Sequence, residues 1–240
     1  MIQLAARRSK VFNLSAVAPA TANKKMDDWL LWQLCDSAFP TGGFAHSLGL
    51  EAAWQHGEVR NRSELFSFLE ASLQQLGHAA LPFAMAAFDE PEKLAEFDQL
   101  CDVFTTNHVA NRASRAQGRA FLTAAERIFK LEIENLKLEI EFAHYAPVLG
   151  AGLRRLEVSR ATTARLFLFN HLRSVLAAAV RLNIIGPMEA QILQHKLSPK
   201  AEIILNACAL LTLDQIAQTS PLLDLWQGAQ DRLYSRLFQS

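Results

Sequence analysis

From residue 26 to the end of the chain, apolar side chains recur every three or four positions with polar ones between them. That spacing is helical, because 3.6 residues make a turn and one stripe of the helix must face a core. Trp29, Leu30, Gln33, Leu34 and Ser37 form the first stripe, with polar interruptions. In "NRSELFSFLEASLQQLG", Asn61 predicts an N-cap and Glu64, three residues on, completes a capping-box pattern. Leu65, Phe68, Leu69, Leu73 and Leu76 then share one face. "EPEKLAEFDQLCDVFTTNHVA" opens on Pro91, tolerated in a first turn, and crowds acids into its first half, where they suit the helix dipole. "SRATTARLFLFNHLRSVLAAAVRLNIIG" predicts a long, mostly buried helix stopped at Gly186. Pro187 starts the next helix, and Ser198 with Pro199 predicts a further start.

Strand signals are scarce. Leu131 and Ile133, then Leu138 and Ile140, alternate within "KLEIENLKLEIEFAHY", which allows one short extended hairpin around residues 130–143. No fixed-period repeat or low-complexity linker divides the body. The pattern predicts one all-α domain over residues 26–240, a compact single-domain bundle of about ten helices.

Charge changes the picture at the N-terminus. The chain has 240 residues with 24 basic and 24 acidic side chains, yet Arg7, Arg8, Lys10, Lys24 and Lys25 all precede the first acid. Residues 1–25 therefore read as a basic, disordered leader without a sustained apolar stripe, and a cleaved presequence is the other reading. The body that follows carries 19 basic against 24 acidic residues, a mildly acidic balance that argues against nucleic acid as the main partner. Cys35, Cys101 and Cys208 are odd in number and far apart, which fits reduced thiols in a cytoplasmic protein rather than a disulfide framework. The most apolar run is interrupted by His171, Arg173 and Arg181, so no membrane span is expected.

Three stretches carry candidate chemistry. "FPTGGFAHS" has a phosphate-loop look, but it lacks the lysine and the preceding strand that a P-loop needs. It reads instead either as a turn stapled by Phe39 and Phe44 or as an aromatic partner surface. His46 lies near Ser47 and Glu51, without a nucleophile-elbow or His-Glu-x-x-His pattern. The seven histidines never pair at i, i+3 or i+4, so no single helix supplies a metal site. In "NHVANRASRAQGRAFL", Arg112, Arg115 and Arg119 share one helix face, beside a narrow stripe of Asn107, Asn111, Ser114 and Gly118. A helical glycine costs about 1 kcal/mol against alanine, so Gly118 predicts close approach by another backbone. The arginines read either as a solvated face or as a surface for carboxylates or a nucleotide-handling partner. At the end of the chain, Leu233 with Leu237, and Tyr234 with Phe238, fall at i+4.

Together "LLWQLCDSAFPTGGFAHSLGLEAAW", "NHVANRASRAQGRAFL", "GPMEAQ" and "LYSRLFQS" resemble the urease accessory protein F family, in that order and over roughly residues 27–240. The resemblance implies an all-helical homodimer in the cytoplasm that is not itself a hydrolase. It implies accessory proteins D/H and G as partners, G being the GTPase that carries nickel, with apo-urease as the final recipient. Nickel would be handled transiently by the complex, with no cofactor bound stably by this chain and no catalytic or metal-ligating residue in it. Phe39, Pro40, Thr41, Gly42, Gly43, Phe44 and His46, with Arg112, Arg115, Gly118 and Arg119, become dimer- or partner-facing residues. Leu233, Tyr234, Ser235, Arg236, Leu237 and Phe238 become a docking tail, entering a groove on the D/H partner as a helix face. One departure stands out: relatives often carry a histidine shortly before this tail, where Gln230 stands here. Two other classes stay open on residues alone: a helical metal-dependent enzyme with a scattered His/Glu site, and a small-ligand-binding helical regulator.

Overall fold

The computed structural model describes residues 28–131 and 140–240. The elements run α1 (Asp28–Cys35), α2 (Leu50–Gln55), α3 (Arg62–Ala79), α4 (Leu81–Asp89), α5 (Leu94–Phe104), α6 (His108–Phe129), α7 (Tyr145–Arg155), α8 (Arg160–Arg181), α9 (Pro187–Cys208) and α10 (Pro221–Ala229), with short 3-10 turns between them. Among the described residues there is no strand, and the all-α expectation holds. The leader, and residues 132–139 of the suggested hairpin, lie outside the described residues.

The core is one continuous apolar cluster, with Leu65, Leu69 and Leu73 of α3, Phe83 of α4, Phe121 of α6 and Leu149 and Leu153 of α7 almost wholly buried. Two glycines set how closely its helices approach. A Cβ on Gly150 of α7 would lie 1.9 Å from the Ala84 carbonyl oxygen of α4, and one on Gly118 of α6 would lie 1.9 Å from the Ala143 carbonyl oxygen. Neither site has room for a side chain, and both bring backbone onto backbone. The close approach predicted at Gly118 is thus internal.

Asp98 of α5, fully buried, fastens the start of α7. Its carboxylate accepts the backbone N–H groups of Phe142 (2.8 Å), Ala143 (3.0 Å) and His144 (2.7 Å), the three donors that lead into the helix. His144 continues the network. Nε2–H donates to Asp102 at 3.0 Å, so Nδ1 accepts the Ser114 hydroxyl at 3.1 Å, and Ser114 Oγ in turn accepts the Tyr145 N–H at 3.1 Å. Burial lowers the pKa of His144, keeping it neutral, while its hydrogen bond and that of Asn111 outweigh burial at Asp102 and hold that carboxyl below its usual range.

Several expected boundaries move. The long helix stops at Arg181, not Gly186, because Asn183 takes the left-handed conformation (φ 58°), which asparagine tolerates; Gly186 instead precedes α9 as its N-cap. Ser198 and Pro199 start nothing: α9 runs unbroken through them. The hydroxyl of Ser198 donates back to the Gln194 carbonyl at 2.8 Å, and Leu197 and Ile204 stay buried on the same side, so core packing outweighs the lost proline N–H. The segment from Pro91 breaks at Thr105–Asn107, where Asn107 caps α6 by accepting the N–H groups of Val109 and Ala110. Asn61 caps α3 as expected, but Glu64 reaches back to the N–H of Arg60, one residue beyond the box. Trp29, counted in the first apolar stripe, is 75% exposed.

Candidate partner interface

Residues 36–46 turn because Gly42 takes φ 72°, a left-handed value that favours glycine, and the reversal parts the two phenylalanines. Phe39 is buried and stacks on Phe129 at 6.0 Å between ring centroids, while Phe44 is 68% exposed. They do not staple one another, as the pattern had suggested; one anchors the turn and the other stands outside it. Pro40 is exposed, and Thr41 and Gly43 are partly covered.

The C-terminal segment corrects a second expectation. Residues 233–240 form no helix; they run as an irregular strap across the turn and α2. Spacing by four therefore does not align Leu233 with Leu237 or Tyr234 with Phe238. Phe238 goes inward, with 4% of its surface exposed, and the Arg181 guanidinium lies 4.3 Å from its ring centroid. Tyr234, Ser235, Arg236 and Leu237 face out, while Leu233 is half-buried.

A buried carboxylate holds the strap. Glu51 of α2, 2% exposed, accepts the N–H of Leu237 at 2.6 Å, that of Phe238 at 3.1 Å, and Gln230 Nε2–H at 2.6 Å. Gln230, the residue where relatives often carry histidine, is fully buried and also donates to the Phe238 carbonyl at 3.3 Å. On the turn, Gln239 N–H donates to the Ala45 carbonyl at 2.9 Å, and His46 Nδ1 meets the Ser240 hydroxyl. Burial, with the nearby Arg112 charge, lowers the pKa of His46 and keeps it neutral. Arg181 closes the other side by donating to the Phe44 carbonyl.

The arginine face divides in three. Arg112 makes a two-armed contact with Asp231 (2.9 and 3.1 Å), and Arg236 of the strap reaches the same carboxylate at 3.0 Å. The Arg112 hydrogen bond above all holds the Asp231 pKa below its usual value. Arg115 lies over the Phe142 ring at 5.1 Å. Arg119 is exposed and makes no ion pair with a described residue. Gly118 lies beneath the Ala143 backbone, with no surface of its own to offer.

Turn, strap and the first turns of α6 thus meet on one face, although some 190 positions separate the first from the last. All three stretches stand out in the sequence, whereas Glu51 and Gln230 as the clasp do not; the one signal is a carboxylate amid the apolar run "LGLEAAW". Among the described residues no three His, Cys, Asp or Glu side chains gather as a metal-ligand set, and none of the described helices is long and apolar enough to cross a membrane.

A family model described as UreF matches residues 59–198. The chain is 40% identical over 220 residues to the urease accessory protein F of Oryza sativa subsp. indica, covering 88% of this chain and 84% of the relative. It is 39% identical over 222 residues to the protein of that name from Arabidopsis thaliana, covering 88% and 92%. The urease accessory protein UreF of Trichodesmium erythraeum is 28% identical over 221 residues, covering 87% and 94%. With the helical fold in place and these matches spanning most of it, the chain belongs to the urease accessory protein F family.

Proposed function

We propose that this chain is a non-enzymatic scaffold of urease maturation. As a cytoplasmic homodimer it binds accessory protein D/H, recruits and regulates the nickel-carrying GTPase accessory protein G, and so serves nickel insertion into apo-urease. The observation that carries this reading, beside family membership, is the convergence of turn, strap and α6 on one face. Phe44, Tyr234 and Leu237, all large and apolar or aromatic, stand exposed around a framework clasped by Glu51 and Asp231. Exposed aromatics on a support held by buried hydrogen bonds are what a protein partner can bury at little ordering cost.

The D/H partner docks on that outward row rather than on a free helix. Co-expression with the D/H and G partners tests this: the native chain should co-purify with both. A Tyr234→Ala/Leu237→Ala variant should keep its helical circular dichroism and melting temperature while losing the D/H partner. Undiminished co-purification of that variant would refute docking at the strap.

A further inference from the structure

Beneath the interface, α3, α6, α8 and α10 line a half-open cavity of about 210 Å³. A well-packed interior leaves few voids larger than a water molecule. An apolar cavity of about 150 Å³ accepts benzene, so this one takes an aromatic ring with a substituent. Its walls divide by chemistry. Phe83, Phe104, Phe167, Leu76 and Leu223 supply apolar and aromatic surface, while Ser72, His171, Asn170, Ser174 and Gln117 supply neutral hydrogen-bonding groups. Ser72 Oγ lies 2.6 Å from His171 Nε2, a pair able both to donate and to accept.

We propose that this cavity is a binding site for a small uncharged aromatic molecule carrying a hydrogen-bonding substituent, of the benzamide or phenol class. The ring would lie among the phenylalanines and the substituent against the Ser72–His171 pair. Charge on the ligand is disfavoured by what surrounds it. Burial holds His171 neutral and raises the pKa of Asp224, and Arg173 is already engaged, donating to the Cys35 carbonyl at 2.6 Å. His46 of the turn and Ser240 of the strap also line the cavity, so an occupant touches the strap from below and adds to its attachment by linkage.

Ligand-observed NMR and calorimetry on the full chain with benzamide test the assignment. Saturable binding with Kd about 1 mM or tighter is expected for a ligand of this size. Benzoate and toluene should each bind more weakly. Ala110→Leu, which puts three more carbons into the cavity, should sharply weaken binding with circular dichroism unchanged. Ser72→Ala should weaken benzamide several-fold and leave toluene unaffected, which decides the matter if the filled variant does not fold. No saturable binding to the native chain, binding that survives both substitutions, or a preference for benzoate through Arg173 would each overturn the proposal.

Discussion

The Glu51 carboxylate accepts the Leu237 backbone N–H at 2.6 Å, joining α2 to the strap across 186 positions of sequence. A free chain end gains little by ordering, since each fixed residue costs about 1–2 kcal/mol of backbone entropy. Here burial of Phe238 and hydrogen bonds to a buried carboxylate offset that cost. Glu51→Ala would leave Leu237 N, Phe238 N and Gln230 Nε2 without their acceptor. It should lower stability by about 3 kcal/mol, and hydrogen exchange should show the Leu237 and Phe238 amides unprotected while α3 and α7 keep theirs. Retained protection at those two amides would mean that the strap is held by something else.

Gly118→Ala should invert the usual rule for helices. In an unobstructed helix that change gains about 1 kcal/mol; here the new methyl meets the Ala143 carbonyl oxygen at 1.9 Å. Backbone cannot step aside cheaply, so the variant should lose about 3 kcal/mol or more in urea denaturation. A stabilised variant would show that α6 and the segment before α7 are not in contact.

Stability should fall on mild acidification, and His171 should be a main cause. Burial takes its pKa down to about 4 from 6.5. The unfolded chain therefore takes up a proton below about pH 6.5 that the folded chain refuses until about pH 4. The contribution is absent above pH 7, grows as pH falls through that window, and reaches at most about 3 kcal/mol. His46 and His144, also lowered by burial, act in the same direction. Asp102 and Asp231 are depressed carboxyls, so their loss comes later, below about pH 4. Urea midpoints for native chain and His171→Gln at pH 7.5 and 4.5 should differ less in the variant; an equal acid shift in both would dismiss His171.

The arginines should separate by role. Arg119→Glu changes an exposed side chain and should move stability by no more than about 0.5 kcal/mol; on the scaffold reading it weakens recruitment of the GTPase. Arg112→Ala should instead loosen the strap, because Asp231 loses its two-armed partner. Pull-down at two salt concentrations, with hydrogen exchange on the strap, distinguishes the two effects. If Arg119→Glu recruits the GTPase normally, the middle of α6 takes no part.

Helical period, caps and glycine placement were legible in the residues because they are local or one-dimensional properties. The Asn61 cap needs only its own next turn, and Gly118 announces close approach by costing helix stability wherever it stands. What approached it was not legible, because Ala143 reaches it by tertiary packing. The same holds for the tail. Spacing by four in "LYSRLF" is equally compatible with a helix face and with an irregular strap, and the choice fell to the distant Glu51 and Arg181, together with Gln230, which hold the strap in its non-helical course. Ser198–Pro199 was misleading for a related reason: the local break signal is real, but buried Leu197 and Ile204 on one continuous face outweigh it. The His171 cavity had no linear signature, since α3, α6, α8 and α10 each contribute a wall. Its residues become a site only where those helices meet.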